Sequence, residues 1–407
     1  MKTAKFFVLI LAALLAAAVF AACARGGAGE ETDGTSAQTE SLPDGYQAQV
    51  ITECVDRSGY NMRLGAYLWY GFEGCSFTNR HIEEFYEYRE PLWGYGYPDI
   101  EDMEFQIQLA YDYGLDFFAV DYYSSVTDAY NPQAVDYLIA AKNSRLLDFC
   151  LIVIDADANT TPNMGNWDVS RDKYIYYMSQ DNSLKVDGKP VIIFYVPDQL
   201  ITSMGSVKNT RQCLDDLEQK MVEKGYPGVC ILACAGPVEA NQASFSSDRC
   251  DSKTFLSKLS LYEEAGFDGF TSYNYIIFDK VNGSYESDYN TFAAHFEDCW
   301  NMFSKYSSSR YAPCLLGGWD DRPRETEIAG RASYALGRTA NDFRDHILNA
   351  YNWLKSNPDN ALGNLAFIYA WDEIDEGGYI IPTKGEGFEM LEGLKAAADI
   401  INGECYR

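Results

Sequence analysis

The chain is poor in residues that would support metal or nucleotide chemistry. Its three histidines, His81, His295 and His346, are scattered along the sequence, and no Cys-x-x-Cys pair occurs. Both features speak against a zinc site. No Gly-x-Gly-x-x-Gly motif follows any of the apolar segments described below, which disfavours a dinucleotide-binding sheet. We therefore expect neither a metal nor a cofactor.

Positive charge is also scarce. Lys and Arg number 32 against 60 Asp and Glu, so the formal net charge is -28. Such a surface repels phosphate backbones, which excludes nucleic acid as an expected partner. The 31 Tyr, 22 Phe and 7 Trp instead supply flat apolar faces with polar edges, which suit sugar rings. We expect an oligosaccharide or polysaccharide as the substrate.

A long hydrophobic run is found at the N-terminus alone. Residues 6–20 are apolar and follow Lys2 and Lys5, but the run is too short and too rich in alanine for a stable membrane span. Phe20-Ala-Ala-Cys23 resembles a bacterial lipobox. We predict a lipoprotein signal peptide at residues 1–22, export, and anchoring to the cell membrane through a lipid on Cys23. The alternative is ordinary signal-peptide cleavage with a free Cys23.

Residues 23–45 have almost no apolar side chains and predict a flexible tether, because they cannot bury enough surface to become ordered. We expect residues 46–407 to form one folded domain.

Eight short apolar segments recur in this domain, as parallel strands covered on both faces would require. They are Leu64–Tyr70, Leu115–Tyr122, Phe149–Ile154, Val191–Val196, Val229–Cys234, Phe267–Tyr273, Tyr311–Leu316 and Leu365–Trp371. Amphipathic helical candidates lie between them and after the last: Asp102–Tyr113, Ala134–Asn143, Arg211–Lys224, Ser252–Ala265, Tyr289–Tyr306, Asn341–Lys355 and Gly387–Ile400. This alternation predicts an α/β fold, a single (β/α)8 TIM barrel; an open doubly wound sheet is the alternative.

Several cysteines lie in the predicted strands, where buried free thiols are expected. These are Cys150, Cys230, Cys234 and Cys314. Cys230 and Cys234 share one strand and are about 13 Å apart in extended backbone, too far to bridge each other.

Active sites of such barrels lie at the carboxyl ends of the strands, where this sequence places acids and aromatic residues. We predict that the following side chains bind substrate: Trp69, Tyr70, Tyr122, Tyr123, Asp155, Tyr195, Tyr273, Trp319, Asp320, Trp371 and Asp375. For the aromatic residues the alternative is core packing. For Trp319, Asp320 and Arg324 the alternative is a buried Asp–Arg pair that holds the loop.

The most informative segment follows the eighth predicted strand. Asp372, Glu373, Asp375 and Glu376 lie within five residues and precede two glycines. Glu373 and Glu376 would be about 10 Å apart on opposite faces of a strand, but their Cβ atoms would be about 5–6 Å apart in a helical turn. A strand that curls into a turn would bring both carboxylates into one pocket, where they could divide the roles of acid and base. A solvated acidic loop is the alternative.

Ala370-Trp-Asp-Glu-Ile-Asp-Glu-Gly377 resembles the Asn-Glu-Trp-x-Glu-Gly signature of glycoside hydrolase family 99 and of the related WbsX-type proteins. Further matches follow in chain order: Leu64-Gly-Ala-Tyr-Leu-Trp-Tyr-Gly71, Gln108-Leu-Ala-Tyr-Asp-Tyr-Gly-Leu-Asp-Phe-Phe118, Lys185-Val-Asp-Gly-Lys-Pro-Val191 and Gly318-Trp-Asp-Asp-Arg-Pro-Arg324. The resemblance implies a (β/α)8 enzyme that cleaves α-mannosidic linkages within glycans with retention.

It also implies the roles of two residues. Glu373 would take the proton of the sugar's 2-hydroxyl, which attacks the anomeric carbon, and Glu376 would be the general acid and then the base. This chain has Asp372, Ile374 and Asp375 where the family has Asn, Trp and often His. The extra negative charge should raise the pKa of a neighbouring carboxyl.

Two other functions are consistent with the sequence. One is a non-catalytic glycan-binding surface lipoprotein. The other is a glycosyltransferase-like, polysaccharide-modifying protein, because Asp155-Ala-Asp157 is similar to the Asp-x-Asp motif that holds a metal in such enzymes. Export and the acidic net charge count against it.

Overall fold

The computed structural model describes residues 46–70, 82–95, 99–123, 133–155, 161–236, 252–275, 286–324 and 333–403. The predicted signal peptide, the tether, Cys23 and Asp157 lie outside these ranges. In the part of the chain that the structure describes, no helix is both long and apolar enough to cross a membrane.

Eight parallel strands form the centre of the molecule. They are β1 Arg63–Leu68, β2 Phe117–Tyr122, β3 Asp148–Val153, β4 Lys189–Phe194, β5 Cys230–Cys234, β6 Gly269–Thr271, β7 Cys314–Leu316 and β8 Leu365–Tyr369. The pairing order is β6-β5-β4-β3-β2-β1-β8-β7. All eight predicted strands are thus confirmed, with bounds that differ by a few residues.

The two ends of this sheet meet and close it. The amide of Phe270 in β6 donates to the carbonyl of Arg310 at 2.9 Å, and the amide of Ala312 donates to the carbonyl of Phe270 at 2.9 Å. Phe270 and Tyr311 form a parallel bridge, so β6 lies beside the segment that enters β7. The (β/α)8 barrel is confirmed, and the open-sheet alternative is wrong.

Nine helices of eight or more residues cover the barrel in the described residues. They are α1 Ile100–Asp112, α2 Gln133–Ala140, α3 Trp167–Met178, α4 Pro197–Met204, α5 Val207–Glu223, α6 Ser252–Ala265, α7 Tyr289–Tyr306, α8 Ala340–Ser356 and α9 Glu389–Asn402. The seven predicted helices are confirmed; α3 and α4 were not predicted.

Aromatic side chains fill the barrel. The ring of Phe367 in β8 stacks on Tyr67 of β1 at 5.6 Å and meets the edge of Phe117 of β2 at 5.2 Å. All three are fully buried. The interior is therefore a packed core, and only the ends of the barrel are available for a site.

The cysteines of the described residues carry free thiols, as predicted for the four in the strands. Cys150, Cys230 and Cys314 are buried, whereas Cys234, at the end of β5, is partly exposed.

Candidate active site

The acidic segment after β8 forms a tight hairpin at the carboxyl end of the barrel. Asp372–Glu373 pairs antiparallel with Gly378–Tyr379, and the amide of Gly377 donates to the carbonyl of Ile374 at 3.2 Å to close the turn. Glu373 is 8% exposed and Asp375 is 9% exposed. The chain turns here as predicted, but in a β-hairpin and not in a helical turn, and a solvated acidic loop is wrong for these two side chains.

Two glycines allow this hairpin to pack against its neighbours. Gly377 has a φ of 68°, and a Cβ atom on it would lie 2.5 Å from the backbone nitrogen of Asp320. A Cβ atom on Gly378 would lie 2.4 Å from the ring of Tyr369. The amide of Asp320 donates to the carbonyl of Glu376 at 2.7 Å. The loop after β7 therefore fixes the position of Glu376.

Glu373 is held at the barrel mouth by Tyr273, which follows β6. The Tyr273 hydroxyl donates to Oε1 of Glu373 and lies 3.3 Å from Oδ2 of Asp121. Burial raises the pKa of Glu373 well above its ordinary value, and the charges of Glu376, Asp375 and Asp121 raise it further, while the hydrogen bond from Tyr273 opposes them. The environment thus favours the protonated form of Glu373.

Asp121 is a member of this site that the sequence analysis did not select. It lies in β2 and is 6% exposed, and its Oδ1 atom accepts no hydrogen bond from the described residues. Burial raises its pKa well above the ordinary value, and the charge of Asp372 adds to the effect. The available signal was a single acid inside an otherwise apolar strand.

Glu376 has different surroundings. The Tyr369 hydroxyl donates to its Oε2 atom, and Nη1 of Arg324 contacts its Oε1 atom. The side chain is 19% exposed. Nε of Arg324 also lies 3.7 Å from Oδ2 of Asp375. A guanidinium therefore contacts Glu376, whereas burial and negative charges surround Glu373.

The two glutamates are held by adjacent rings. Tyr273 and Tyr369 pack edge to face with their centroids 5.0 Å apart, and one hydroxyl serves each glutamate. Tyr195, after β4, packs on Tyr273 at 5.3 Å. This arrangement brings Glu373, Glu376, Tyr195 and Tyr273 together, and their roles in catalysis and substrate binding stay predictions.

Asp372 has a different task from its neighbours. Its two carboxylate oxygens accept hydrogen bonds from the amides of Trp69 and Tyr70, each at 2.8 Å. Tyr70 has a φ of 53°, which is uncommon for a residue with a side chain. Burial raises the pKa of Asp372 to about 7, against the effect of these hydrogen bonds. Asp372 therefore braces the end of β1.

Two further predicted residues lie near this end of β1. Nε1 of Trp69 donates to the hydroxyl of Tyr123 at 3.1 Å, and both side chains are partly exposed. Asp155, after β3, is buried, and its Oδ1 atom accepts from the amide of Val196 at 2.6 Å. Burial raises the pKa of Asp155 to about 8. For these three residues, contact with substrate stays a prediction.

Tyr122 and Trp371 require a correction. Tyr122 packs against Tyr174 and Tyr177 of α3 at 5.9 and 5.6 Å, which places it outside the barrel wall. Trp371 is fully buried, and its Nε1 atom donates to Oε1 of Gln106 in α1 at 2.7 Å. Core packing, the alternative stated above, accounts for both rings.

Tyr70 is also directed at a helix. Its hydroxyl donates to Oδ2 of Asp102, in the first turn of α1, at 2.8 Å. Its ring meets the edge of Tyr137 of α2 at 6.1 Å. These contacts hold the two helices against the end of β1, so the prediction of a sugar contact is corrected to packing here too.

Asp–Arg contacts hold the loop after β7, but with other partners than the pair that the alternative interpretation expected of Asp320 and Arg324. Asp320 contacts Arg89 and Arg322, whereas Arg324 contacts Glu376. Trp319 is 2% exposed, and its Nε1 atom donates to Ser333 at 2.9 Å. Asp320 and Trp319 therefore have structural partners of their own.

The fold and this site define a (β/α)8 barrel with a pair of glutamates on a hairpin at its carboxyl end. A protein-family model described as glycosyltransferase WbsX matches residues 158–394, more than half of the 407-residue chain. The chain belongs to this family. No curated protein matches it.

Solved structures share the fold. A glycoside hydrolase-like protein aligns at 14% identity with a TM-score of 0.55, over 87% of this chain and 97% of that chain. The GH99 endo-alpha-mannosidase from Bacteroides thetaiotaomicron aligns at 12% identity with a TM-score of 0.51, over 83% of this chain and 95% of that chain. At these identities the likeness establishes the fold.

Proposed function

We propose that this protein is a glycoside hydrolase that cleaves α-linked glycans, mannose-containing ones among them, with retention. The observation that carries the proposal is the hairpin after β8, on which Glu373 and Glu376 are each held by a tyrosine hydroxyl at the barrel mouth. The charges near the two glutamates are of opposite sign. Glu373 is buried among negative charges, whereas a guanidinium contacts Glu376. Carboxyl groups separated in this way can act as an acid–base pair.

The roles of the two glutamates have two possible assignments. The family resemblance makes Glu373 the base on the 2-hydroxyl and Glu376 the acid and then the base. The electrostatics of the ligand-free site favour the reverse, because burial and the neighbouring negative charges raise the pKa of Glu373 well above its ordinary value, whereas a guanidinium contacts Glu376. A general acid must carry a proton before the bond breaks, and a base must not.

An activated leaving group separates these assignments. The substrates are an α-linked oligosaccharide and an aryl glycoside of the same sugar, whose phenolate leaves without a proton. Replacing the general acid by Gln abolishes cleavage of the oligosaccharide but leaves the bond-breaking step on the aryl glycoside. Replacing the base abolishes both. If Glu376→Gln still releases the phenolate from the aryl glycoside, the assignment from the family resemblance is correct. If Glu373→Gln still releases it, the electrostatic assignment is correct.

The substrate is found by product analysis over a panel of α-mannans and α-glucans with the wild-type protein. A shortened product of retained anomeric configuration supports the proposal. Binding to members of the panel without any cleavage would support the non-catalytic glycan-binding alternative instead.

A second candidate function is glycosyl transfer, which the description of the matching family model favours. This reaction would use Asp155 and Asp157 to hold a metal and a nucleotide sugar. One oxygen of Asp155 is already engaged by the Val196 amide. Transfer from nucleotide sugars that requires Mn²⁺ and is lost in Asp155→Asn, with no hydrolysis of the panel, would establish the transferase and overturn the hydrolase.

Cell-surface anchoring through Cys23 is part of the proposal. Its support is the lipobox-like segment that ends at this cysteine. Metabolic labelling with a tritiated fatty acid checks it: the wild-type chain takes up label, and Cys23→Ser does not. Equal labelling of the two would contradict it.

A further inference from the structure

A second cleft lies beside the hairpin, between the loops that follow β7 and β8. Its volume is about 300 Å³, at the lower end of the range of ligand pockets and sufficient for a single sugar ring. Asp320 and Gly377 form part of its wall. Gly377 follows Glu376 in the chain, and the Asp320 amide bonds to the Glu376 carbonyl. The cleft is therefore next to the proposed catalytic pair.

The charge of this cleft is opposite to that of the protein. Three arginines line it, Arg89, Arg322 and Arg338, against two acids, Asp320 and Glu386. The lining thus has a formal charge of +1, although the chain as a whole has a net charge of -28. A positive cleft on such an acidic surface would concentrate an anionic ligand.

Two of the three arginines, Arg89 and Arg338, are occupied by hydrogen bonds and ion pairs within the protein. Arg89 is buried; its Nη1 atom donates to two carbonyls and its Nη2 atom contacts Asp320. The Nε and Nη2 atoms of Arg338 donate to the carboxylate of Glu386, and its Nη1 atom donates to two carbonyls at 2.8 and 2.9 Å. Their role is to fix the wall of the cleft.

Arg322 is the arginine that keeps a donor for a ligand. Its Nε and Nη2 atoms bind the two oxygens of Asp320 at 2.7 and 2.6 Å, while Nη1 makes no hydrogen bond with the described residues. The side chain is 32% exposed. Its guanidinium lies 4.2 Å from the centroid of the Tyr334 ring, which fixes its plane. Since Asp320 is shared with Arg89, it does not neutralise both cations.

The rest of the cleft suits a sugar. Tyr88, one of the residues that line it, is 44% exposed, so part of its ring is available for stacking. A Cβ atom on Gly337 would meet nothing within 4 Å, so this part of the wall is open backbone. Aromatic faces with a few placed polar groups are typical of small-molecule sites.

We propose that this cleft is a subsite for an anionic sugar residue of the substrate glycan, with its carboxylate or sulfate group on Arg322 and its ring on Tyr88. The proposal rests on the proposed hydrolase function and narrows the substrate class to acidic glycans. The Nη1 group of Arg322, which Asp320 leaves unoccupied, can donate a charge-assisted hydrogen bond to an oxygen of this anion.

Matched sugars test the anionic group. The probes are the methyl glycosides of glucuronic, galacturonic and mannuronic acid, the methyl ester of each, and galactose 6-sulfate, titrated at low salt with ligand-observed NMR. We expect at least one anionic probe to bind, and a bound uronate to bind about tenfold or more tightly than its ester. Binding of the sulfate alone would assign the anion to a sulfate ester. No binding by any anionic probe, or equal binding of acid and ester, would overturn the subsite.

Arg322→Gln should abolish the preference for the anion, and Arg322→Lys should retain part of it. Tyr88→Ala should weaken binding of the same probe without changing the preference. The matched control is Arg344→Gln, since Arg344 is 30% exposed and pairs with Asp345 in α8. If Arg322→Gln does not fold, the Lys and Tyr88 variants decide. Anion preference that is the same in wild type and the Arg322 variants would overturn the assignment.

Failure of the subsite differs from failure of the hydrolase. Cleavage of neutral glycans with no preference for acidic ones would overturn the subsite and leave the hydrolase. Anion-dependent binding with no cleavage of any acidic or neutral glycan would leave the subsite and overturn the hydrolase.

Discussion

Tyr273 donates a hydrogen bond from its hydroxyl group to Oε1 of Glu373, and the same hydroxyl lies 3.3 Å from Oδ2 of Asp121. All three side chains are buried. One hydroxyl thus lies between two carboxyl groups that both have a raised pKa. The hydrogen bond to Glu373 lowers the pKa of this carboxyl group. It therefore limits the rise that burial and the neighbouring negative charges cause.

Tyr273→Phe should therefore move the activity profile to higher pH. Without the hydrogen bond, which lowers the pKa of Glu373, that pKa rises further. The limb of the kcat/KM profile that Glu373 controls shifts upward whether Glu373 is the base or the acid. The matched control is Tyr67→Phe, because the Tyr67 hydroxyl donates to the carbonyl of Ser272 and its ring lies 4.7 Å from that of Tyr273. An unmoved limb in Tyr273→Phe would contradict this role.

Asp155→Asn should reduce the loss of stability at high pH. Asp155 has a folded-state pKa of about 8, against an ordinary value of 3.8, so the folded protein binds its proton more tightly than the unfolded chain. Its stabilising effect is complete below pH 3.8 and is lost as pH rises to about 8, by up to about 1.4 kcal/mol per pH unit. Urea unfolding from pH 5 to 9 measures the slope.

The control is Asp288→Asn. The hydrogen bonds from Thr291 lower the pKa of Asp288, so its stabilisation is lost as pH falls, and the slope from pH 5 to 9 stays that of the wild type. The same slope in the wild type and Asp155→Asn would refute the assignment of a protonated Asp155.

Gly377→Ala should destabilise the protein and displace the hairpin. The new Cβ atom would lie 2.5 Å from the backbone of Asp320, so we expect a cost of about 3 kcal/mol or more from strain and overpacking, together with loss of activity. Gly225→Ala separates the two effects, since Gly225 has a φ of 97° but open space around it. Its expected cost is about 1–2 kcal/mol. Equal unfolding free energies for the two variants would exclude the contact with Asp320 as the cause.

Asp320→Asn should lower the free energy of unfolding, because the buried charge of Arg89 would lose its carboxylate partner. Arg89 is 1% exposed and has Asp320 as its ionic partner among the described residues, so removing the carboxylate should cost about 3–5 kcal/mol. Asp345→Asn removes an exposed partner of Arg344 and should cost about 0–1 kcal/mol. Denaturant unfolding of both variants tests the difference, and a change below 1 kcal/mol for Asp320→Asn would argue against the buried pair.

The strands could be predicted because parallel strands buried on both faces are continuous apolar runs. Helix α3 was missed since its apolar and charged residues are not segregated to opposite faces in the sequence from Trp167 to Met178. Helix α4 was missed because it begins at Pro197, three residues after β4 ends, and is only eight residues long.

The residues of the candidate site could be predicted from the sequence only in part. Position after β8 identified Glu373 and Glu376, but successive strand residues face opposite sides, and sequence alone did not establish which of Asp121 and Tyr122 faces the interior. The partner of Arg324 could not be predicted either. Its contact with Glu376 spans 52 residues and depends on how two loops meet at the barrel mouth.

The most direct test of the account is the rate of glycan cleavage by Glu373→Gln and Glu376→Gln on the substrate found in the panel. We predict that each substitution lowers kcat/KM about 10³-fold or more, with an unfolded fraction no greater than in the wild type. The surface variant Glu392→Gln, in α9, should keep full activity. Wild-type rates in either glutamate variant would contradict the central claim.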